Sequence, residues 1–177
     1  SQFALLYGVK EEIPMLLSVQ QKYILSVTVR NNSGVLARVS SLFGRRGYNI
    51  DSLTVSATTD PKISRMSIIV TGDEPILEQI IKQVSKLEEV MLVEHLQEAD
   101  SYCRELVFVK FLTEDGAAKD NIRQVAEVYG ARIIESTGQY MVVVLSESPS
   151  RIDAFLTVVA NFEVMEMCRS GVTAIRK

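Results

Sequence analysis

The 177-residue sequence has no tryptophan, a single histidine and two cysteines, and aromatic residues make up 7% of it. Each scarcity excludes something. His95, near the end of a predicted strand, has no obvious nucleophile beside it to activate and reads as a surface or interface imidazole. Cys103 and Cys168 lie far apart and make no metal-type spacing, so both read as small buried hydrophobes in a reduced, cytosolic protein. No GxGxxG, P-loop or HExxH occurs. The acidic pairs Asp73-Glu74, Glu88-Glu89 and Glu114-Asp115 fall near predicted helix ends, where helix dipoles favour them, and tandem acids lack the facing geometry of a catalytic pair. The sequence therefore offers no catalytic residue and no metal ligand. No apolar run approaches the ~20 residues that span a bilayer. A net charge of -3 gives the chain as a whole no attraction for phosphate polymers.

From Tyr23 the chain is periodic. Tyr23–Arg30 alternates as a strand, with Leu25, Val27 and Val29 on one face. The turn cluster Asn31-Asn32-Ser33-Gly34 starts a helix to about Arg46, with Val35, Val39, Leu42 and Phe43 on one side. Tyr48–Thr58 is a strand with Leu53, Val55 and Ala57 inward and Ser52, Thr54 and Ser56 outward; Ile63–Thr71 is another. Pro75 suits a helix's first turn, Leu77, Ile80, Ile81 and Val84 keep helical spacing, and Val90–Leu96 closes the set.

The order repeats about 80 residues later. A strand over Arg104–Thr113 precedes a helix with Ile122, Val125, Ala126 and Tyr129, ended by Gly130. Strands over Ala131–Thr137 and Gln139–Leu145 lead to a helix from Ser148-Pro149, with Ile152, Phe155, Leu156 and Val159, and to a strand over Phe162–Cys168. The fold expected is α+β, two tandem ferredoxin-like βαββαβ units over residues 23–98 and 99–177. Residues 1–22 read as an N-terminal extension of uncertain structure: Lys10, Glu11 and Glu12 interrupt it wrongly for a secretory signal, and the absence of an initiator Met suggests a start inside a longer chain.

Each unit leaves one sheet face for water or a partner. Outward Ser and Thr suit either in the first unit, whereas Met141–Leu145 is apolar on both faces and implies cover, most economically a sheet from a second copy. Leu42–Ile50, LFGRRGYNI, has the two glycines and two arginines of a KH-type nucleic-acid clamp. A KH loop joins two helices, however, and here a strand follows, so Gly47 is read as a helix C-cap and Gly44 as a mark of close packing. RNA-recognition modules share the topology but carry stacking aromatics that Ile63–Thr71 lacks, and Arg30, Asn31 and Gly34 poorly imitate an acylphosphatase loop. No nucleic-acid and no membrane partner is expected. The remaining candidate is Asn31–Leu36, where a helix start offers free N–H groups to a small carboxylate and Gly34 permits close approach.

ILSVTVRNNSGVLARVSSLFGRRGYNIDSLTV (Ile24–Val55), SRMSIIVTGD (Ser64–Asp73), LEQIIKQVSKLEEV (Leu77–Val90), RIDAFL (Arg151–Leu156) and RSGVTAI (Arg169–Ile175) resemble the regulatory, small subunit of acetolactate synthase (acetohydroxyacid synthase), with residues 23–98 similar to an ACT domain. The resemblance implies a chain without chemistry of its own. It implies a homodimer through the ACT domains and a catalytic large subunit that carries the thiamine diphosphate, Mg²⁺ and FAD. It also implies activation of that subunit and feedback inhibition by a branched-chain amino acid, most often valine. The effector would sit between Asn31, Ser33, Gly34, Val35 and Leu36 of one chain and Asn49 and Ile50 of the other. A bacterial or archaeal cytoplasm is implied ahead of a plastid. The alternative is an ACT-domain amino-acid sensor for a different enzyme.

Overall fold

The alternation at Leu25, Val27 and Val29 becomes β1 (Gln21–Arg30), one of the two inner strands of the first sheet. In a computed structural model of the protein, which describes residues 21–177, it is followed by α1 (Val35–Arg45), β2 (Ile50–Ala57), β3 (Ile63–Gly72), α2 (Glu74–Val84) and β4 (Val90–Leu96). A short turn, Glu98–Asp100, leads to β5 (Ser101–Leu112), α3 (Gly116–Tyr129), β6 (Arg132–Ser136), β7 (Tyr140–Glu147), α4 (Pro149–Val159) and β8 (Val164–Arg176). The sheet orders β2-β3-β1-β4 and β6-β7-β5-β8 are the same pattern twice, antiparallel throughout. The architecture is α+β, two tandem ferredoxin-like units. Most of the extension anticipated over residues 1–22 lies outside the described residues; its last two, Gln21 and Lys22, already pair with Gly72 and Thr71.

Each unit buries one helix layer against one sheet face. Val39, Leu42 and Phe43 of α1 and Leu77, Ile80 and Val84 of α2 meet Leu25, Val27, Met66 and Ile68. Ile122, Ala126, Ile152 and Phe155 do the same against Val107, Val109, Phe111 and Val143. Burying each such aliphatic or aromatic side chain contributes about 1.5–3 kcal/mol. Among the described residues no helix is long and apolar enough to cross a membrane.

Gly47 ends α1 with φ 72, the Tyr48 N–H reaching back to the Phe43 carbonyl at 2.9 Å and the Gly47 N–H to that of Gly44 at 3.2 Å. This paired capping pattern leads straight into β2, so LFGRRGYNI is a helix stop and not a clamp. Gly44 does not mark close packing: a Cβ there would meet nothing within 4 Å.

Three expectations are corrected by the tertiary arrangement. Val55 is 41% exposed and Ala57 is exposed too, because β2 is an edge strand. Cys103 is buried but Cys168 is exposed, on the edge strand β8. The last strand is not Phe162–Cys168 but runs through Arg176, because Ser170-Gly171, which resembles a turn, is a bulge where the pairing of β8 with β5 shifts register.

That extra length covers the first sheet. The beginning of β5 and the end of β8 form a ribbon whose Cys103, Val172 and Ala174 pack on Ile24, Ile69 and Leu96, on the face of the first sheet away from its helices. The first sheet's outer face, whose Ser and Thr suited water or a partner, is thus covered by strands of the chain itself. On the second sheet's outer face Phe108 stays 41% exposed, between half-buried Leu106, Val142 and Val144.

Candidate functional site

The loop from β1 to α1 is fixed at its start by backbone bonds. Arg30 N–H donates to the Glu89 carbonyl at 2.9 Å and Asn31 N–H to that of Lys62 at 2.7 Å. Asn31 Nδ2 donates to the Pro61 carbonyl at 2.9 Å, so this side chain ties the loop to the β2–β3 hairpin and keeps its own carbonyl oxygen free to accept. Gly34, at φ 84, is the N-cap of α1 in the left-handed region, with no side-chain cap and no acid in the first turn. The helix of the second unit that starts after Ser148 likewise has no side-chain cap, but the other two differ. Asp73 caps α2 through the Ile76 N–H and Asp115 caps α3 through the Ala118 N–H, each at 2.9 Å. At α1 no side chain among the described residues caps the first-turn N–H groups, which keep their partial positive charge. Arg38, one turn on, pairs with Glu89 and leaves that end open.

Asn31, Ser33, Gly34 and Leu36 are exposed, Leu36 by 45%. Val35 is not available as a side chain, since it is 4% exposed within the first core, and offers the loop only its backbone. Asn49 is exposed, donating to Asp51 Oδ1 at 2.9 Å, and the other Asp51 oxygen accepts from Thr71 Oγ1 at 2.6 Å. Ile50 opens β2, half-buried against the first core.

One chain does not bring these two groups together. Arg30 pairs with Ile63, whereas Ile50 pairs with Val70 at the opposite end of the sheet. Seven strand positions separate the ends, about 23 Å at ordinary strand rise. A second copy related by a two-fold at the exposed β2 edge would set the start of one β2 beside the loop end of the other.

A pronounced cleft lies elsewhere. A cleft of about 790 Å³ separates the lower end of the first sheet from α4 and β8, with Asp51, Ser52, His95, Glu105, Asp153 and Arg169 in its walls. Glu105 is 5% exposed and held by Arg169, which also reaches Asp153 Oδ1 at 2.9 Å. The two carboxylates push the guanidinium's pKa further above its already high range, the bond to Glu105 first. Sequence reasoning missed this group. One signal was legible: Glu105 occupies an inward position in the alternation Cys103, Glu105, Val107, Val109, Phe111, where a carboxylate needs a partner. The identity of that partner, 64 residues away, was not. Among the described residues no group of three or more His, Cys, Asp or Glu side chains is arranged to hold a metal.

Comparison with known proteins accounts for both units. Residues 25–92 match the family model of the AHAS small subunit-like ACT domain, and residues 104–177 that of the small subunit of acetolactate synthase. The chain is 41% identical over 155 residues to the acetolactate synthase isozyme 3 small subunit of Escherichia coli, covering 87% of this chain and 94% of that one. It is 38% identical to a probable acetolactate synthase small subunit of Methanothermobacter thermautotrophicus, covering 88% and 92%. The crystal structure of the acetolactate synthase small subunit from Thermotoga maritima, 31% identical, superposes with a TM-score of 0.79 over 89% of this chain and 98% of that one.

Proposed function

The chain belongs to the acetolactate synthase small-subunit family, and from that premise we propose that it is the non-catalytic regulatory subunit of an acetolactate synthase. It raises the activity of a catalytic large subunit and confers feedback inhibition by a branched-chain amino acid, valine first. Thiamine diphosphate, Mg²⁺ and FAD belong to that partner. The protein acts as a homodimer through its ACT domains, in the cytoplasm of a bacterium or archaeon.

The observation that carries the effector reading is the uncapped start of α1. Among the helices of the ACT domain, α1 alone begins without a carboxylate cap, at a left-handed glycine and beside an edge strand left exposed. An amino acid supplies the missing carboxylate to the N–H groups after Gly34. Its ammonium is held by the free carbonyl oxygen of Asn31 and by Asn49 of the second copy, and Leu36 with the second copy's Ile50 measures the side chain.

Calorimetric titration of valine, leucine, isoleucine and phenylalanine into the chain, alone and with the catalytic subunit, tests this. Saturable binding of valine with inhibition of the reconstituted enzyme is expected. Binding of none of them in either setting would overturn it.

A further inference from the structure

Within a few residues of Asn49 and Ile50, β2 makes directional contact with the second unit. Thr54 Oγ1 donates to the Val172 carbonyl at 3.0 Å, and the Val172 N–H donates to Ser52 Oγ at 3.2 Å. Both backbone polar groups of one β8 residue are thus taken by hydroxyls from two successive outward positions of β2. Gly171 allows this approach. At φ 83 it favours glycine already, and a Cβ there would stand 2.6 Å from Ser52 Oγ and 3.1 Å from Thr54 Cγ2. Two residues earlier, Arg169 is fastened to Glu105 on β5 and to Asp153 on α4. A run of directional bonds therefore leads from the strand of the effector site to a helix of the second unit.

One ion pair, from Arg176 Nη2 on β8 to Glu94 Oε1 on β4 at 3.2 Å, also joins the units, and the remaining contact is of a different kind. Ile24, Ile69 and Leu96 against Cys103, Val172 and Ala174 form an apolar patch, which resists separation but has no preferred direction and tolerates a small rotation. Ser52, Gly171 and Val172 also line the open cleft, so the junction borders existing space on one side and the apolar patch on the other. The two hydroxyl bonds align β2 with β8, which the apolar patch by itself does not do. Energetic coupling between sites requires an element with two discrete arrangements, and a pair of bonds that is either made or broken at the edge of the cleft is suited to that role.

We propose that Ser52, Thr54 and Gly171 form the junction through which occupancy of the effector site is passed to the C-terminal unit. The inference rests on the effector reading above. An effector that favours one position of β2 biases the junction by its difference in affinity for the two arrangements, and the second unit turns with Val172.

The test uses the full chain reconstituted with its catalytic subunit and compares Ser52→Ala/Thr54→Val and Gly171→Ala with the parent. Calorimetry reads valine binding, and turnover with and without valine reads activation and inhibition. Both variants are expected to bind valine and to activate normally, with the inhibition midpoint raised about tenfold or inhibition lost. Thr54→Ser, which keeps the hydroxyl, is expected to retain parental inhibition, a result that a general loss of folding does not produce. Unchanged inhibition in both variants, with the parent inhibited, would overturn the junction alone. So would loss of valine binding together with inhibition, since the residues would then serve the pocket itself. A parent holoenzyme that neither binds nor responds to any branched-chain amino acid would overturn the effector reading, and the junction with it.

Discussion

Arg169 holds both carboxylate oxygens of Glu105, its Nε donating to one and Nη2 to the other, each across 2.7 Å. The geometry is the bidentate fork that only arginine offers a carboxylate. It lies where β8 bulges, and it explains how a carboxylate only 5% exposed is tolerated among Cys103 and Val107. The pair locates the bulge in space as much as it stabilises the fold.

Arg169→Met removes the cation and leaves Glu105 buried without compensation, at a cost of about 3 kcal/mol. For a chain of this size that lowers Tm by about 6–10 °C in a calorimetric melt. The double variant Arg169→Met/Glu105→Leu is expected to recover most of the loss, because the buried charge goes with its partner. A double variant no more stable than the single one would show that the pair is not the source of the cost. The raised guanidinium pKa adds stability below arginine's unfolded pKa and loses it only above about pH 12, so this cation itself brings no pH dependence near neutrality.

Gly34→Asp tests the effector loop. A Cβ at this position meets nothing within 4 Å, and Asp is among the side chains that best tolerate left-handed backbone, so folding should suffer by no more than about 1 kcal/mol. The new carboxylate occupies the helix start itself. Valine binding is expected to vanish while the melt stays within a few degrees of the parent. Normal valine binding by a folded Gly34→Asp chain would place the pocket elsewhere.

Gly44→Ala should stabilise. The residue lies inside α1 with negative φ and open space where its Cβ would be, and glycine there costs about 0.5–1 kcal/mol relative to alanine. A rise in urea midpoint without a change in slope is the expected result. A fall would mean that the open space is filled in the protein tested, for example by another copy.

The two thiols differ sharply. Burial pushes the Cys103 thiol's pKa up, and Cys168 is exposed. A chromogenic disulfide reagent should titrate one thiol per native chain and two per unfolded chain, and Cys168→Ser should abolish the native reaction. Because the folded pKa of Cys103 is raised, its contribution to stability is complete below the unfolded value near 8.5 and declines as pH rises past it. Two fast native thiols would contradict the packing of Cys103 against the first sheet.

Much of the fold was written locally. Period-two alternation in Tyr23–Arg30 and Ile63–Thr71 and helical stripes such as Ile152, Phe155 and Val159 report the burial of each element, because a side chain's face follows from its position along the backbone. Gly47 and Gly130 announced helix ends for the same reason: positive φ is a property of the residue itself. The loop Asn31–Leu36 was legible as a helix start, but that no side chain caps it is decided by the fold, which puts Gly34 and not Asn31, Asn32 or Ser33 at the N-cap. Left undetermined at that level was whatever depends on a neighbour from far along the chain. Val55 and Ala57 alternate as inward residues yet are exposed, since edge position is set by strand order. Cys168 has the composition of a core residue and the location of a surface one. Ser170-Gly171 resembles a turn and is a bulge, because Ser52 and Thr54, nearly 120 residues earlier, stand against it. The amino-acid sequence by itself determined the elements and their faces, through backbone geometry and local chemistry. Only the tertiary structure decided which strands are edges, what covers the first sheet and which residues join the two units, because those follow from long-range contacts that no local period encodes.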